Sequence, residues 1–93
     1  MEKESRIFKY TFDVNDLIEI EMPLNAIILS VQTQRGIPCI WAIVNPNAPL
    51  ERRELVCIGT GHPINIDIYK YKYIGTFQLF DGDMICHLFE NTN

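Results

Sequence analysis

The stretch Ala26-Ile27-Ile28-Leu29-Ser30-Val31-Gln32-Thr33-Gln34-Arg35-Gly36-Ile37-Pro38-Cys39-Ile40-Trp41-Ala42-Ile43-Val44 decides the fold. In its first half Ile27, Leu29 and Val31 alternate with Ser30, Gln32 and Gln34, the period of a half-buried strand. Arg35-Gly36 reads as a tight turn, with the glycine available for a positive φ. From Ile37 to Asn45 a second strand follows, and here the alternation fails. Ile37, Cys39, Trp41 and Ile43 fill one face while Ile40, Ala42 and Val44 fill the other. A strand apolar on both sides is covered on both sides.

Outward from this hairpin the strand signals continue. Arg6 to Val14 and Leu17 to Met22 alternate on the N-terminal side, parted by Asn15-Asp16 and ended by Pro23. On the C-terminal side a proline-asparagine loop, Asn45 to Pro49, precedes a strand from Glu51 to Thr60. Tyr71 to Phe80 and Met84 to Glu90 follow, joined by Asp81-Gly82, the strongest hairpin signal in the chain. Asn65 to Tyr73 has room for one short helical turn at most. The expectation is a single all-β domain over 1–93, an antiparallel sandwich or partly open barrel of about seven strands, frayed at 1–5 and 91–93. Ile40, Ala42, Val44, Val56, Ile58 and Phe89 need cover on a second face, from barrel closure or from another copy. Such faces predict a homo-oligomer, a dimer or tetramer.

Composition narrows the function classes. The 93 residues carry a net charge of −4, without the Lys and Arg excess that a non-specific duplex binder needs. The three cysteines, Cys39, Cys57 and Cys86, lie in apolar runs without metal-ligand spacing, and read as reduced thiols. The charged opening is no signal peptide, and no apolar run reaches the ~20 residues of a membrane span. A cytoplasmic protein is expected, with no metal, no cofactor and no membrane partner.

The site-like composition sits at Ile58-Gly59-Thr60-Gly61-His62-Pro63. Amides around a glycine turn form a concave anion site, and a loop imidazole donates to phosphate or acts as a base. The spacing lacks the dinucleotide and P-loop patterns, and no nucleophile motif or carboxylate pair accompanies His62. Gly59, Thr60, Gly61 and His62 are therefore candidate ligand contacts, with turn architecture as the competing role. Trp41 offers an indole face for a base or for the core, and Tyr10 shares that ambiguity. Arg52, ahead of the glycine loop, is a candidate phosphate partner or a solvated surface cation, as is Arg53. His87 opposes the core residues in parity, which favours a surface or interface role.

Nearly the whole chain, Phe8 to Glu90, resembles a family of small bacteriophage and prophage proteins. The matching segments are a Tyr10-containing strand, Ala26 to Gln32, Gly36 to Val44, the Gly59-Thr60-Gly61-His62-Pro63-Ile64 motif, Tyr73 to Gln78 and His87 to Glu90. The resemblance implies an oligomeric sponge that evades host immunity in the bacterial cytoplasm. It would sequester a cyclic oligonucleotide signal of CBASS type, such as 3′3′-cGAMP, without cleaving it. Trp41, Thr60, Gly61 and His62 are the matched positions suited to bases and phosphates; the joint from Asn65 to Lys72 is less regular than the resemblance implies. Two other readings stand beside it: an accessory module docking on a host or virion protein through its second apolar face, and a small phosphodiesterase using His62.

Overall fold

Seven strands build the protein in the computed structural model, which describes residues 4–92. They are β1 (Arg6–Thr11), β2 (Leu17–Pro23), β3 (Ile27–Gln34), β4 (Ile37–Val44), β5 (Leu50–Gly59), β6 (Tyr71–Leu79) and β7 (Met84–Asn91). Two antiparallel sheets face each other. Sheet A has the order β1-β4-β3 and sheet B the order β2-β5-β7-β6. The fold is an all-β sandwich.

Local chemistry explains the two tight hairpins. Gln34 pairs with Ile37 across a two-residue loop in which both Arg35 (φ 52°) and Gly36 (φ 81°) are left-handed. Two positive φ values give the turn the twist that flanking strands require. Leu79 pairs with Met84 across a longer loop. There Phe80, Asp81 and Gly82 all have positive φ, so the Asp81-Gly82 signal marks a true hairpin. These residues form a 3-10 turn in addition to the one at Ile68–Lys70, one more than the sequence reading allowed. The chain end is also better held than expected. Asn91 pairs with Tyr71, and the Thr92 hydroxyl donates to the Lys70 carbonyl at 2.8 Å. The fraying expected at 1–3 and at 93 lies outside the described residues.

The core corrects the sequence reading of the central hairpin. Ile40, Ala42 and Val44 do not wait for another copy: they face sheet B and are at most 1% exposed. Val56, on the other side of sheet B, is buried too, and Ile58 and Phe89 are half-buried. The face left uncovered on β4 is the opposite one, Ile37, Trp41 and Ile43. A bulge in β3 overturns the alternation expected there. Pairing shifts between Ile28 and Ser30, so Ile28 and Val31 both reach the core while Ile27 and Leu29 stay exposed. One extra residue inverts the alternation beyond it. Sheet B answers with Ile18, Met22, Leu55, Phe77 and Leu88, and Phe12 meets Phe77 edge-on at 5.8 Å.

Two details lock the layers together. At one side β3 lies against β6, where the Thr33 hydroxyl donates to the Gln78 carbonyl. Gly75 makes that approach possible, because a Cβ there would stand 2.8 Å from Val31 Cγ1. At one end of the sandwich the Arg53 guanidinium grips both Glu90 oxygens and donates from Nη1 to the Ala26 carbonyl at 2.8 Å. The hydrogen bond that Arg53 donates to Glu90 raises the Arg53 pKa above its ordinary value. The result is flat, with extents of 42 × 31 × 17 Å.

Candidate functional site

The glycine-histidine motif ends β5. Gly59 to His62 is a turn closed by the His62 amide donating to the Gly59 carbonyl at 3.1 Å, with Gly61 at φ 84°. His62 folds back over Gly59, whose absent Cβ would stand 2.9 Å from Nδ1. Gly59 thus makes room for the ring, and Gly61 supplies the left-handed turn position. The motif borders a shallow hollow of about 210 Å³ that also includes Asp83 and Met84. A carboxylate beside the loop weighs against an anion in that hollow.

Thr60 leads instead to His87, for which the sequence favours a surface or interface role. On the outer face of sheet B, Thr60 Oγ1 is 2.8 Å from His87 Nε2, and His87 Nδ1 is 2.9 Å from Thr76 Oγ1. Thr76 Oγ1 in turn bonds the Tyr73 hydroxyl. Thr60 Oγ1 also lies 3.5 Å from the Ile85 carbonyl, an acceptor for its proton. With Thr60 donating there, His87 donates from Nε2 and accepts at Nδ1 from Thr76, which accepts from Tyr73. Each hydroxyl and both ring nitrogens are then satisfied. The register created this chain: Thr76 and His87 are cross-strand partners, and Thr60 follows the Gly59–Cys86 pair.

The remaining expected contacts lie elsewhere. Trp41 is half-buried on the outer face of sheet A, away from the Gly59–His62 turn at the end of sheet B, so one copy does not assemble the two into a single site. Tyr10 packs against the core from β1, and burial raises its phenol pKa. Arg52 is exposed and pairs with Glu19 at 3.3 Å. With the paired Arg53 it lines a hollow of about 550 Å³, beside Glu51, Glu54 and Glu90. Both arginines there are paired with carboxylates.

Charge segregates between the sheets. Strands β1, β3 and β4 with their turn carry Arg6, Lys9 and Arg35 and no Asp or Glu. Arg6 pairs with Glu4. Lys9, Thr11, Gln34, Arg35, Ile37 and Cys39 line an open depression of about 380 Å³ on the outer face, without a carboxylate. Lys9 Nζ reaches Gln34 Oε1 at 2.8 Å, on a diagonal over the buried Cys39. Trp41 is the cross-strand partner of Lys9. Two cations, two neutral polar side chains and one indole therefore share a face. Neither Lys9 nor Arg35 stood out in the sequence; only the β1–β4–β3 register puts them together. The signal that was available is the strained turn, since Arg35 occupies a left-handed position that asparagine or glycine fills more easily.

Among the described residues no group of three or more His, Cys, Asp and Glu side chains is arranged to hold a metal ion. No helix among them is long and apolar enough to cross a membrane. All three cysteines are free thiols. The family model described as Domain of unknown function (DUF7352) matches residues 3–93, so the chain belongs to that family. No curated protein and no solved structure matches.

Proposed function

We propose that this member of the DUF7352 family captures an anionic, base-bearing ligand of the cyclic oligonucleotide class on the outer face of sheet A, and releases it unchanged. The observation that carries the reading is the carboxylate-free depression holding Lys9 and Arg35 beside Trp41. Phosphate oxygens suit the two cations, and a base suits the indole. The net charge of −4 does not forbid this. At physiological salt the screening length is about 8 Å. Glu19, Glu21, Glu51, Glu54 and Glu90 all lie on sheet B, while the strands of sheet A carry none. The role is sequestration by a phage-type protein in the host bacterial cytoplasm, with no turnover.

Calorimetry with 3′3′-cGAMP and a panel of cyclic di- and trinucleotides tests the reading. Micromolar or tighter binding is expected, and mass spectrometry of the heat-released ligand should return it intact. Trp41→Ala should cost about 1–3 kcal/mol. His62→Ala should leave affinity unchanged. Dissociation constants above millimolar, about −4 kcal/mol, refute the proposal. Cleaved product would move the function to a phosphodiesterase.

A second reading draws on the exposed isoleucines of the same face, Ile7 and Ile27. They would dock a host or virion protein directly. Loss of a pulled-down partner on Ile7→Glu, with nucleotide binding absent throughout, would favour it.

A further inference from the structure

The polar side chains that border the depression on sheet A are built to donate hydrogen bonds. The border is Lys9, Thr11, Gln34, Arg35, Ile37 and Cys39. An ammonium and a guanidinium carry donors and no acceptor. Gln34 has both kinds of group, but its oxygen is turned to a neighbour: Lys9 Nζ lies 2.8 Å from Gln34 Oε1. An ammonium cannot accept, so this contact fixes which way the amide points. The oxygen faces Lys9, and Nε2 keeps two hydrogens to give. The Cys39 thiol is buried beneath and turned to the Ile37 carbonyl at 3.5 Å. The register makes this arrangement. Lys9 on β1 and Gln34 on β3 reach each other across β4, on a diagonal over Cys39.

We infer that this donor-rich border selects guanine over adenine, with Gln34 as the residue that reads the base and Lys9 as the residue that positions Gln34. The inference rests on the capture reading above and names the base of that ligand. Along its major-groove edge guanine presents O6 and N7, both acceptors, whereas adenine presents N7 and an amino donor at N6. A glutamine free to turn suits adenine, accepting from N6 and donating to N7. With its oxygen held by Lys9, Gln34 meets the adenine amino group hydrogen against hydrogen. Against guanine the same Nε2 finds an acceptor. A site that leaves a ligand donor without a partner discriminates against it by more than the lost bond. Arg35 works in the same sense, because a guanidinium pairs bidentately with O6 and N7. These donors also serve phosphate oxygens, so affinity and base choice arise from one set of side chains.

Calorimetry of the full chain at one salt concentration tests the inference, with 3′3′-cyclic di-GMP, 3′3′-cyclic di-IMP and 3′3′-cyclic di-AMP as probes. Cyclic di-GMP should bind about tenfold more tightly than cyclic di-AMP. Cyclic di-IMP keeps O6 and N7 without the 2-amino group, and should bind as cyclic di-GMP does. Gln34→Glu keeps a partner for Lys9 but replaces the donors with acceptors, so the preference should reverse toward adenine. Lys9→Met frees the amide to turn; both ligands should weaken, and the ratio of their affinities should approach unity. A purely electrostatic or structural role for either residue would change both affinities and leave the ratio intact. Lys9 and Gln34 are exposed, so circular dichroism should show both variants folded. Equal affinity of the wild type for guanine and adenine ligands overturns the inference and leaves capture standing. So does a guanine preference that survives Gln34→Glu. Failure of every probe to bind at millimolar concentration overturns the capture reading, and this inference with it.

Discussion

Truncating Arg53 to alanine should be the most damaging single change at the sandwich end. The guanidinium side chain is 16% exposed and the Glu90 carboxylate 9%. Arg53→Ala removes the bidentate contact and the Nη1 bond to Ala26, and leaves Glu90 shut in without a counter-charge. Breaking one partner of a buried pair costs about 3–5 kcal/mol. A domain of this size has a total of about 5–14 kcal/mol. The melting temperature should then fall by more than about 12 °C, at about 4–8 °C per kcal/mol. Urea unfolding at pH 7, followed by Trp41 emission, reads the loss directly. Arg53→Met combined with Glu90→Leu should recover stability to within about 1 kcal/mol of wild type, because no charge is then stranded. A loss below about 1 kcal/mol for Arg53→Ala would refute the reasoning. So would a double variant as unstable as the single one.

Three further outcomes follow from the same packing. Gly75→Ala should cost about 1–3 kcal/mol in urea, since its methyl meets Val31, and Val31→Ala should restore part of it. Arg35→Asn should raise stability by about 0.5–1 kcal/mol, relieving a left-handed arginine, while binding of 3′3′-cGAMP is lost. Burial pushes the Cys57 thiol up to about 12, with smaller contributions from Cys86 and Asp16. Cys57 should therefore resist iodoacetamide at pH 8 in the native chain and react in urea, as read by peptide mass spectrometry. Because its folded value lies above the thiol's ordinary 9.0, the stability tied to this proton is whole below pH 9 and is lost as the pH rises toward 12.

The strands were legible because alternation and turn residues are local. Pro23, Arg35-Gly36 and Asp81-Gly82 each stand at a strand end or hairpin where the sequence put them. What failed depends on distance. Nothing near Leu29 announces a bulge, and the bulge decides which β3 residues reach the core. Ile40 and Trp41 are both apolar, so only the position of sheet B reveals which one is wall and which is surface. The Gly59–His62 motif was visible, and its neighbours suggested a site; its geometry shows a turn built around an imidazole. Lys9, Arg35 and the Thr60–His87–Thr76 contacts arise from strands far apart in sequence, and the register that joins them is not written in any one segment.

The pairing order also bears on how the chain reaches its native state. Only β3–β4 and β6–β7 are neighbours in sequence; β1 must find β4, and β2 must find β5, each about a third of the chain away. Closing such long loops before any contact rewards them slows the reaction, toward milliseconds to seconds for topologies dominated by distant pairings. The two hairpins are the natural early structures, and β1 and β2 arrive last. On a ribosome β1 would leave the exit tunnel long before β4 exists to receive it. Its Phe8 and Tyr10 would meet solvent in the interval, the window in which a nascent β protein is most exposed to a chaperone or to aggregation.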